Sequence, residues 1–179
     1  MSVISLDYFN SGIRNIPNID APEIDEAVTS LIEEFEPKYL KGVLGYSLYK
    51  AFENERTQLI ITDRTQQLLT GYEFTYCGEL MRWDGFTNIA TLESPIVDYV
   101  MSNYISNQSG LTGGVGEIRP KSEHADVIDP LPKVMQNWNN MVVKNAVLYA
   151  YLTSNKELYP EFDGRVDPVF FKPINYLGI

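Results

Sequence analysis

The sequence predicts a mainly α-helical fold, namely a helical bundle with a small β-hairpin, a long glycine-rich loop and extended N- and C-terminal arms. Apolar residues recur with helical spacing in several segments, and proline and glycine interrupt that spacing at only a few points. Hydrophobic residues make up 44% of the 179 residues, which is enough for one domain with a packed core. We therefore expect an N-terminal arm over residues 1–19, a helical core over 20–155 and an extended tail over 156–179.

The N-terminal arm is expected to be extended and to lie on a surface, because isoleucines recur around Pro17. The first helix follows Asp20, which forms a capping-box-like pair with Glu23. Pro22 fits the first turn, where its missing N–H is not needed. The apolar residues behind it keep strict helical spacing, at Ile24, Ala27, Val28, Leu31, Ile32 and Phe35.

A second helix is expected to start at Pro37, after a break at Glu36, because the residue before a proline avoids the helical region. Gly42 and Gly45 fall inside this helix, where each weakens it by about 1 kcal/mol. Two interpretations stay open. The glycines let another segment of backbone come close, or they are a tolerated cost within a packed bundle.

The middle of the chain predicts a short helix followed by a hairpin. The helix covers residues 63–71 and ends at Gly71. Aromatic and β-prone residues then flank Cys77-Gly78-Glu79, and Asp84-Gly85 marks a turn. The hairpin is therefore expected over about residues 72–86.

Two more helices complete the predicted core. The first covers residues 87–107 and contains Pro95, so either it kinks there or Ser94 caps a new segment. The second, over residues 131–155, is predicted to be the longest helix. It is apolar over so much of its circumference that it should be central in the domain.

The charge and the cysteine content exclude several classes of protein. A formal net charge of -10 argues against a nucleic-acid reader, which needs a basic patch, but suits a surface that DNA slides past. Cys77 is the only cysteine, so no internal disulfide is possible. The N-terminus lacks the features of a signal peptide, and no apolar run reaches the roughly 18 residues of a membrane span. No membrane partner is expected.

The glycine-rich stretch "SGLTGGVGEIRPKSEHAD", residues 109–126, fails both phosphate-binding templates. It lacks the lysine spacing of a Walker A loop, and Arg119 stands where a dinucleotide fingerprint starting at Gly114 needs glycine. His124 is the only histidine, which argues against a zinc site. For Cys77 a partly buried structural thiol is favoured over a nucleophile paired with His124. We therefore expect no catalysis, no cofactor and no metal.

The glycine-rich loop, over residues 109–129, is expected to contact another protein, because a loop that long in a small domain is usually functional or disordered. Its glycines let it bend, and Val115 and Ile118 offer apolar surface beside charged residues. This suits an adaptable contact with a neighbouring subunit, for example by strand addition to a sheet edge. The tail is the second expected contact, because exposed aromatics are costly unless they dock.

Three stretches carry a resemblance, and together they cover roughly the C-terminal half: Trp83 to Phe86, Thr112 to Lys121, and Tyr151 to Phe162. With the helices around them, they resemble a family of uncharacterised phage and prophage proteins common in Bacteroidetes. That family is similar to the head–tail connector proteins (adaptor or head-completion proteins) of tailed phages. The chain departs from the pattern in having Pro95 after "RWDGF" and a longer aromatic tail after Phe162.

The resemblance implies a small helical subunit of a virion neck, repeated in a ring of twelve beneath the portal and assembled in the bacterial host cytoplasm. Its partners would be copies of itself, the portal protein and further neck or tail proteins, with DNA passing through the channel without sequence-specific binding. The residues expected at the subunit or portal interface are Thr112, Gly113, Gly114, Val115, Gly116, Glu117, Ile118, Arg119, Lys121, Phe170, Phe171 and Tyr176.

Two alternatives stay open beside the connector. The first is a small non-enzymatic regulator that binds a protein through its aromatic C-terminal tail and remains a monomer or dimer. The second is an enzyme that uses an acidic pair or Cys77, which predicts a pocket holding Cys77 beside His124. For a connector, removing residues 165–179 is expected to impair docking more than folding.

Overall fold

The computed structural model describes residues 2–10, 12–108, 111–113, 116–118 and 130–175. Within them the chain is mainly helical with a two-stranded antiparallel hairpin, as the sequence predicts. The described elements are 3-10 helices Leu6–Phe9, Gly12–Arg14 and Pro168–Phe171, helices α1 (Pro22–Thr57), α2 (Asp63–Thr70), α3 (Pro95–Gln108) and α4 (Leu131–Ser154), and strands β1 (Tyr72–Tyr76), β2 (Glu79–Trp83), β3 (Leu111–Gly113) and β4 (Gly116–Ile118).

Helix α1 runs through Pro37, so the predicted break at Glu36 is wrong. Pro37 removes one main-chain N–H, but Ile32 and Tyr39 on either side of it are buried. A continuous helix therefore keeps one packed face across the proline, and tertiary packing outweighs the local cost. The interruption lies instead at Gly45, whose φ of 73° and ψ of 161° are not helical.

Helix α4 is central in the domain, as predicted, since it packs along α3 and against both strands of the first hairpin. Its buried face includes Met141, Leu148 and Tyr151, whereas Val143 is 67% exposed. At 24 residues it is shorter than α1, which has 36. Of the two possibilities at Pro95, a kink or a new helix capped by Ser94, the structure shows the second. The Ser94 Oγ accepts the N–H of Ile96 at 3.1 Å and caps α3.

The short helix and the first hairpin form where the sequence predicts them. Helix α2 is followed by Gly71 with a φ of 89°. Strand β1 pairs with β2, and the connecting Cys77 and Gly78 have φ values of 52° and 86°. Two positive values are typical of the tight type I′ turn. Trp83, 1% exposed, anchors the hairpin by donating its indole N–H to the Leu68 carbonyl at 3.2 Å.

The N-terminal segment is more ordered than an extended arm. It contains two 3-10 helices, and five of its apolar residues are buried in the core, namely Ile4, Tyr8, Phe9, Ile16 and Ile19. The buried carboxylate of Glu36 accepts the Ser2 hydroxyl at 2.6 Å and the main-chain N–H groups of Val3 at 2.8 Å and Ile4 at 3.2 Å. This carboxylate fixes the start of the chain to the middle of α1.

Candidate functional site

The glycine-rich segment forms a second hairpin in its described part. Strand β3 pairs antiparallel with β4, in the register Leu111 with Ile118, Thr112 with Glu117 and Gly113 with Gly116. Five of the predicted contact residues lie on these strands, at Thr112, Gly113, Gly116, Glu117 and Ile118. Five others lie outside the described residues, at Gly114, Val115, Arg119, Lys121 and Tyr176.

The β3–β4 pair makes a two-stranded sheet of its own, separate from β1–β2. Each strand of a two-stranded sheet has one edge whose N–H and C=O groups are not paired within that sheet. An edge of this kind is what strand addition by a partner requires. In the sequence the hairpin connects α3 to α4. These two helices pack against each other more extensively than any other described pair.

The C-terminal tail docks on the chain's own core. Phe170 is 6% exposed, and its ring packs edge-on against Tyr39 and Tyr99, with centroid distances of 5.5 and 5.2 Å. Phe171 is half-buried and packs against Tyr149 at 5.9 Å. The expectation that aromatic residues of the tail must dock is therefore met within one molecule. Phe170, which we expected at an interface with another protein, is a core residue in this conformation.

Side chains of α4 bind the main chain of the docked tail. The amide of Asn145 donates to the Phe170 carbonyl at 2.7 Å, and the indole of Trp138 donates to the Lys172 carbonyl at 2.9 Å. Asn139 both donates to the Ile174 carbonyl and accepts its N–H, each at 2.9 Å. Because these hydrogen bonds are made to main-chain atoms, they fix the path of the tail independently of most of its side chains.

The two glycines of α1 are required by the docked tail. A Cβ at Gly42 would lie 2.6 Å from Cδ2 of Phe170 and closer still to Cε2. A Cβ at Gly45 would lie 2.9 Å from the carbonyl oxygen of Arg165. The Asp167 N–H also donates to the Gly42 carbonyl at 2.8 Å. The interpretation that the glycines let another segment come close is confirmed.

A buried ion network that the sequence analysis missed joins the N-terminal segment to α3 and α4. The carboxylate of Asp98 is fully buried and lies 2.7 Å from Nε of Arg14 and 2.9 Å from Nζ of Lys144. A buried carboxylate is stable only when it is paired and hydrogen-bonded, and both of its oxygens have a cation here. An aspartate inside the apolar run "SPIVDYVM" was the available signal.

A second network holds the turn between α1 and α2. The Glu55 carboxylate accepts hydrogen bonds from Thr62, Thr65 and Arg64. Burial alone would raise the pKa of Glu55, but these bonds outweigh it and the pKa is lowered. Arg64 also binds Glu161 at 2.9 Å.

The same turn presents three consecutive apolar residues to solvent. Leu59, Ile60 and Ile61 are 80%, 57% and 56% exposed. We call these three residues the apolar turn. A contiguous apolar patch on the surface is typical of a protein contact site, and the Glu55 network holds this one in a defined position.

A cleft of about 580 Å³ lies between the N-terminal segment and α1, and its acidic residues are Asp7, Glu33, Glu36 and Glu53. Burial raises the pKa of Glu36 although its hydrogen bonds act in the opposite direction. The Glu36 carboxylate already accepts the N–H groups of the N-terminal segment. The cleft is therefore part of the interface between that segment and α1.

The residues considered for catalysis are not brought together. Cys77 is exposed at the tip of the first hairpin, so the expectation of a partly buried thiol is wrong. A type I′ turn places its central residues away from the core, which explains the exposure. His124 lies outside the described residues. In the part of the chain that the structure describes, no three His, Cys, Asp or Glu side chains are grouped to hold a metal.

The comparisons identify no relative. No protein-family model matches the chain, and neither a curated protein nor a solved structure is similar to it. None of the described helices is long and apolar enough to cross a membrane.

Proposed function

We propose that the chain is a structural subunit of the neck of a tailed phage, where copies form a ring that joins the portal to the tail and extends the DNA channel. The observation that carries this proposal is the β3–β4 hairpin, a separate two-stranded sheet inserted between the two central helices. Such a hairpin on a closed core suits a subunit whose work is to bind its neighbours.

The way the rest of the chain packs supports an assembly role. Glu36 and the Asp98 network fix the N-terminal segment, and Gly42 and Asn145 receive the tail. Docked segments of this kind hold the core in one arrangement, which is what a wedge-shaped subunit of a ring needs. The burial of Phe170 weighs against the alternative of a regulator that binds through its tail.

Two surfaces are available for the contacts of a ring subunit. The hairpin offers strand edges to a neighbouring copy or to the portal, and the apolar turn offers hydrophobic surface. The net charge of -10 suits a channel wall that does not retain DNA, because like charge repels phosphate. In this proposal the protein carries out no chemistry and belongs to the virion.

The first experiment measures the mass and shape of the purified protein, alone and mixed with the portal protein of the same genome. Native mass spectrometry gives the copy number and negative-stain imaging gives the shape. We expect rings, either free or formed only on the portal. A protein that stays monomeric and does not bind the portal would overturn the proposal.

A loop variant tests the role of the hairpin directly. Replacing residues 110–121 with a Gly-Ser linker of equal length removes the strands and keeps the connection between α3 and α4. We expect unchanged far-UV circular dichroism and weaker ring formation. Rings that form as well as those of the wild type would show that the hairpin is not an assembly contact.

A further inference from the structure

Two lysines surround an exposed tyrosine at the interruption of α1. The Nζ atoms of Lys41 and Lys50 lie 5.5 and 5.8 Å from the ring centroid of Tyr46, which is 61% exposed. The non-helical backbone of Gly45 lies between the two lysines and redirects the helix there. We call Lys41, Tyr46 and Lys50 the basic cluster.

The charge of the basic cluster is not neutralised within the described part of the chain. Every described arginine has a carboxylate partner, but the ion pairs of the described residues include neither Lys41 nor Lys50. The carboxylates of the neighbouring tail already have other partners. Asp163 pairs with Arg165 at 3.5 Å, and Asp167 accepts a main-chain N–H at 3.0 Å.

The start of the same helix carries the opposite charge. Glu23, Glu26 and Glu33 are exposed, and their spacing places them on the side of α1 that also carries Lys41. At 1.5 Å per residue, Lys41 is about 12 Å from Glu33 and about 22 Å from Glu26, and both distances exceed the Debye length of about 8 Å at physiological salt. These acidic residues and the basic cluster therefore do not neutralise each other within one copy.

We propose that the basic cluster binds the acidic start of α1, from Glu23 to Glu33, of a neighbouring copy of this chain. A subunit with an acidic patch at the start of α1 and a basic cluster in the middle of the same helix can contact its copies head to tail, and such a contact closes into a ring when the rotation allows it. The inference rests on the proposed ring, because it names the surface through which the subunits meet.

The composition of the basic cluster favours a protein partner over nucleic acid. A nucleic-acid surface usually neutralises several phosphates, whereas this cluster holds two cations on a chain of net charge -10. Tyr46 adds a rigid side chain with an apolar body and a polar tip, which is typical of protein interfaces.

The test uses charge reversal in the full chain. The variant K41E/K50E should lower the association constant by about tenfold or more, measured by analytical ultracentrifugation with and without the portal, because two attractive contacts become repulsive. Adding E23K and E26K to the same chain returns the net charge to -10 and reverses the charge of both contact surfaces. This fourfold variant should therefore assemble again.

A matched control separates the contact from the general effect of net charge. The variant K156E/K172E changes the net charge equally, at two other exposed lysines, and should assemble like the wild type. The four lysine positions are exposed, so the urea midpoints of K41E/K50E and K156E/K172E should match that of the wild type, and loss of assembly in K41E/K50E cannot be attributed to unfolding. The fourfold variant should lose about 0.3–1 kcal/mol because E23K removes an acidic side chain from the first turn of α1.

The outcomes separate this inference from the proposed function. If K41E/K50E forms rings as well as the wild type does, or if the fourfold variant stays dissociated, the inference is overturned and the proposed ring still stands. Lysine-dependent dimers that never close into rings would support the contact and overturn the ring. Binding of short duplex DNA that needs Lys41 and Lys50, with assembly unaffected, would assign the cluster to nucleic acid and overturn the proposal.

Discussion

Replacing Gly42 with alanine should destabilise the fold by forcing the Phe170 ring out of its position. The added Cβ would lie 2.6 Å from Cδ2 of that ring, a distance that real Cβ atoms do not show. The ring cannot simply turn aside, because Tyr39 and Tyr99 pack against it at 5.5 and 5.2 Å. The tail must therefore move.

Two opposing effects set the change in the free energy of unfolding. Alanine is the better helix former by about 1 kcal/mol. Losing the packing of a buried phenylalanine costs about 3–5 kcal/mol, on the scale of Phe-to-Ala substitutions in cores. The expected net loss in the free energy of unfolding is therefore about 2–4 kcal/mol.

The assay is a double-mutant cycle by urea denaturation, followed by far-UV circular dichroism. In the F170A background the clash is absent, so G42A should stabilise the protein by up to about 1 kcal/mol. The sign of the effect thus reverses between backgrounds. The control S30A, at an exposed position of the same helix, should stay within about 0.5 kcal/mol of the wild type.

The cycle can refute the reasoning in two ways. If G42A costs the same in both backgrounds, Phe170 is not what the new methyl group meets. If G42A is neutral in the wild type, the tail does not occupy the position described. A change in the slope of the urea transition would instead indicate that the variant alters the extent of unfolding.

Four further predictions concern the Glu55 network, the glycine-rich loop, the C-terminal tail and Cys77. Glu55→Gln should lower the free energy of unfolding by about 1.5–3 kcal/mol at pH 7, because hydrogen bonds to a carboxylate are lost. Since the pKa of Glu55 is lowered on folding, its contribution is present above the unfolded pKa and disappears as the pH falls through the folded pKa. Urea midpoints of E55Q and wild type should then converge in acid, and parallel curves would contradict this. Deleting residues 110–121 should leave a folded domain with weaker assembly, and a variant that unfolds outright would show that the loop is part of the core. Removing residues 165–179 should destabilise the fold itself, measured by thermal melting, since Phe170 and its main-chain bonds are lost; a melting temperature equal to that of the wild type would contradict it. Cys77→Ser should change stability by less than about 0.5 kcal/mol, and native Cys77 should react readily with a thiol reagent because it is exposed; a thiol that reacts only in urea would contradict the described turn.

The C-terminal tail illustrates where prediction from sequence reached its limit. Its aromatics predicted that it docks on something, which is correct, but not that Phe170 docks on its own chain. The prediction of an external contact led to the expectation that removing the tail impairs docking more than folding. The partner of an aromatic residue depends on which surfaces come close in space, and no local pattern records that.

The candidate site was predictable in part. The length of the loop, its glycines, and its apolar residues beside charged ones predicted a contact loop over residues 109–129, and the described strands β3 and β4 fall within it. The basic cluster was not found, because Lys50 is one helical turn from Tyr46 but Lys41 reaches the same ring across the interruption at Gly45.

The sequence by itself determined the mainly helical class, the first hairpin and the central place of α4. These follow from apolar spacing and from turn residues such as Gly71 and Gly78, which act within a few positions. Only the tertiary structure decided that α1 continues through Pro37 and turns at Gly45, and that Asp98 pairs with Arg14, 84 positions away. The physical reason is that local propensity is worth about 1 kcal/mol at a glycine and about 3 kcal/mol at a proline, whereas the summed packing of a helix face or a tail segment is worth more than either.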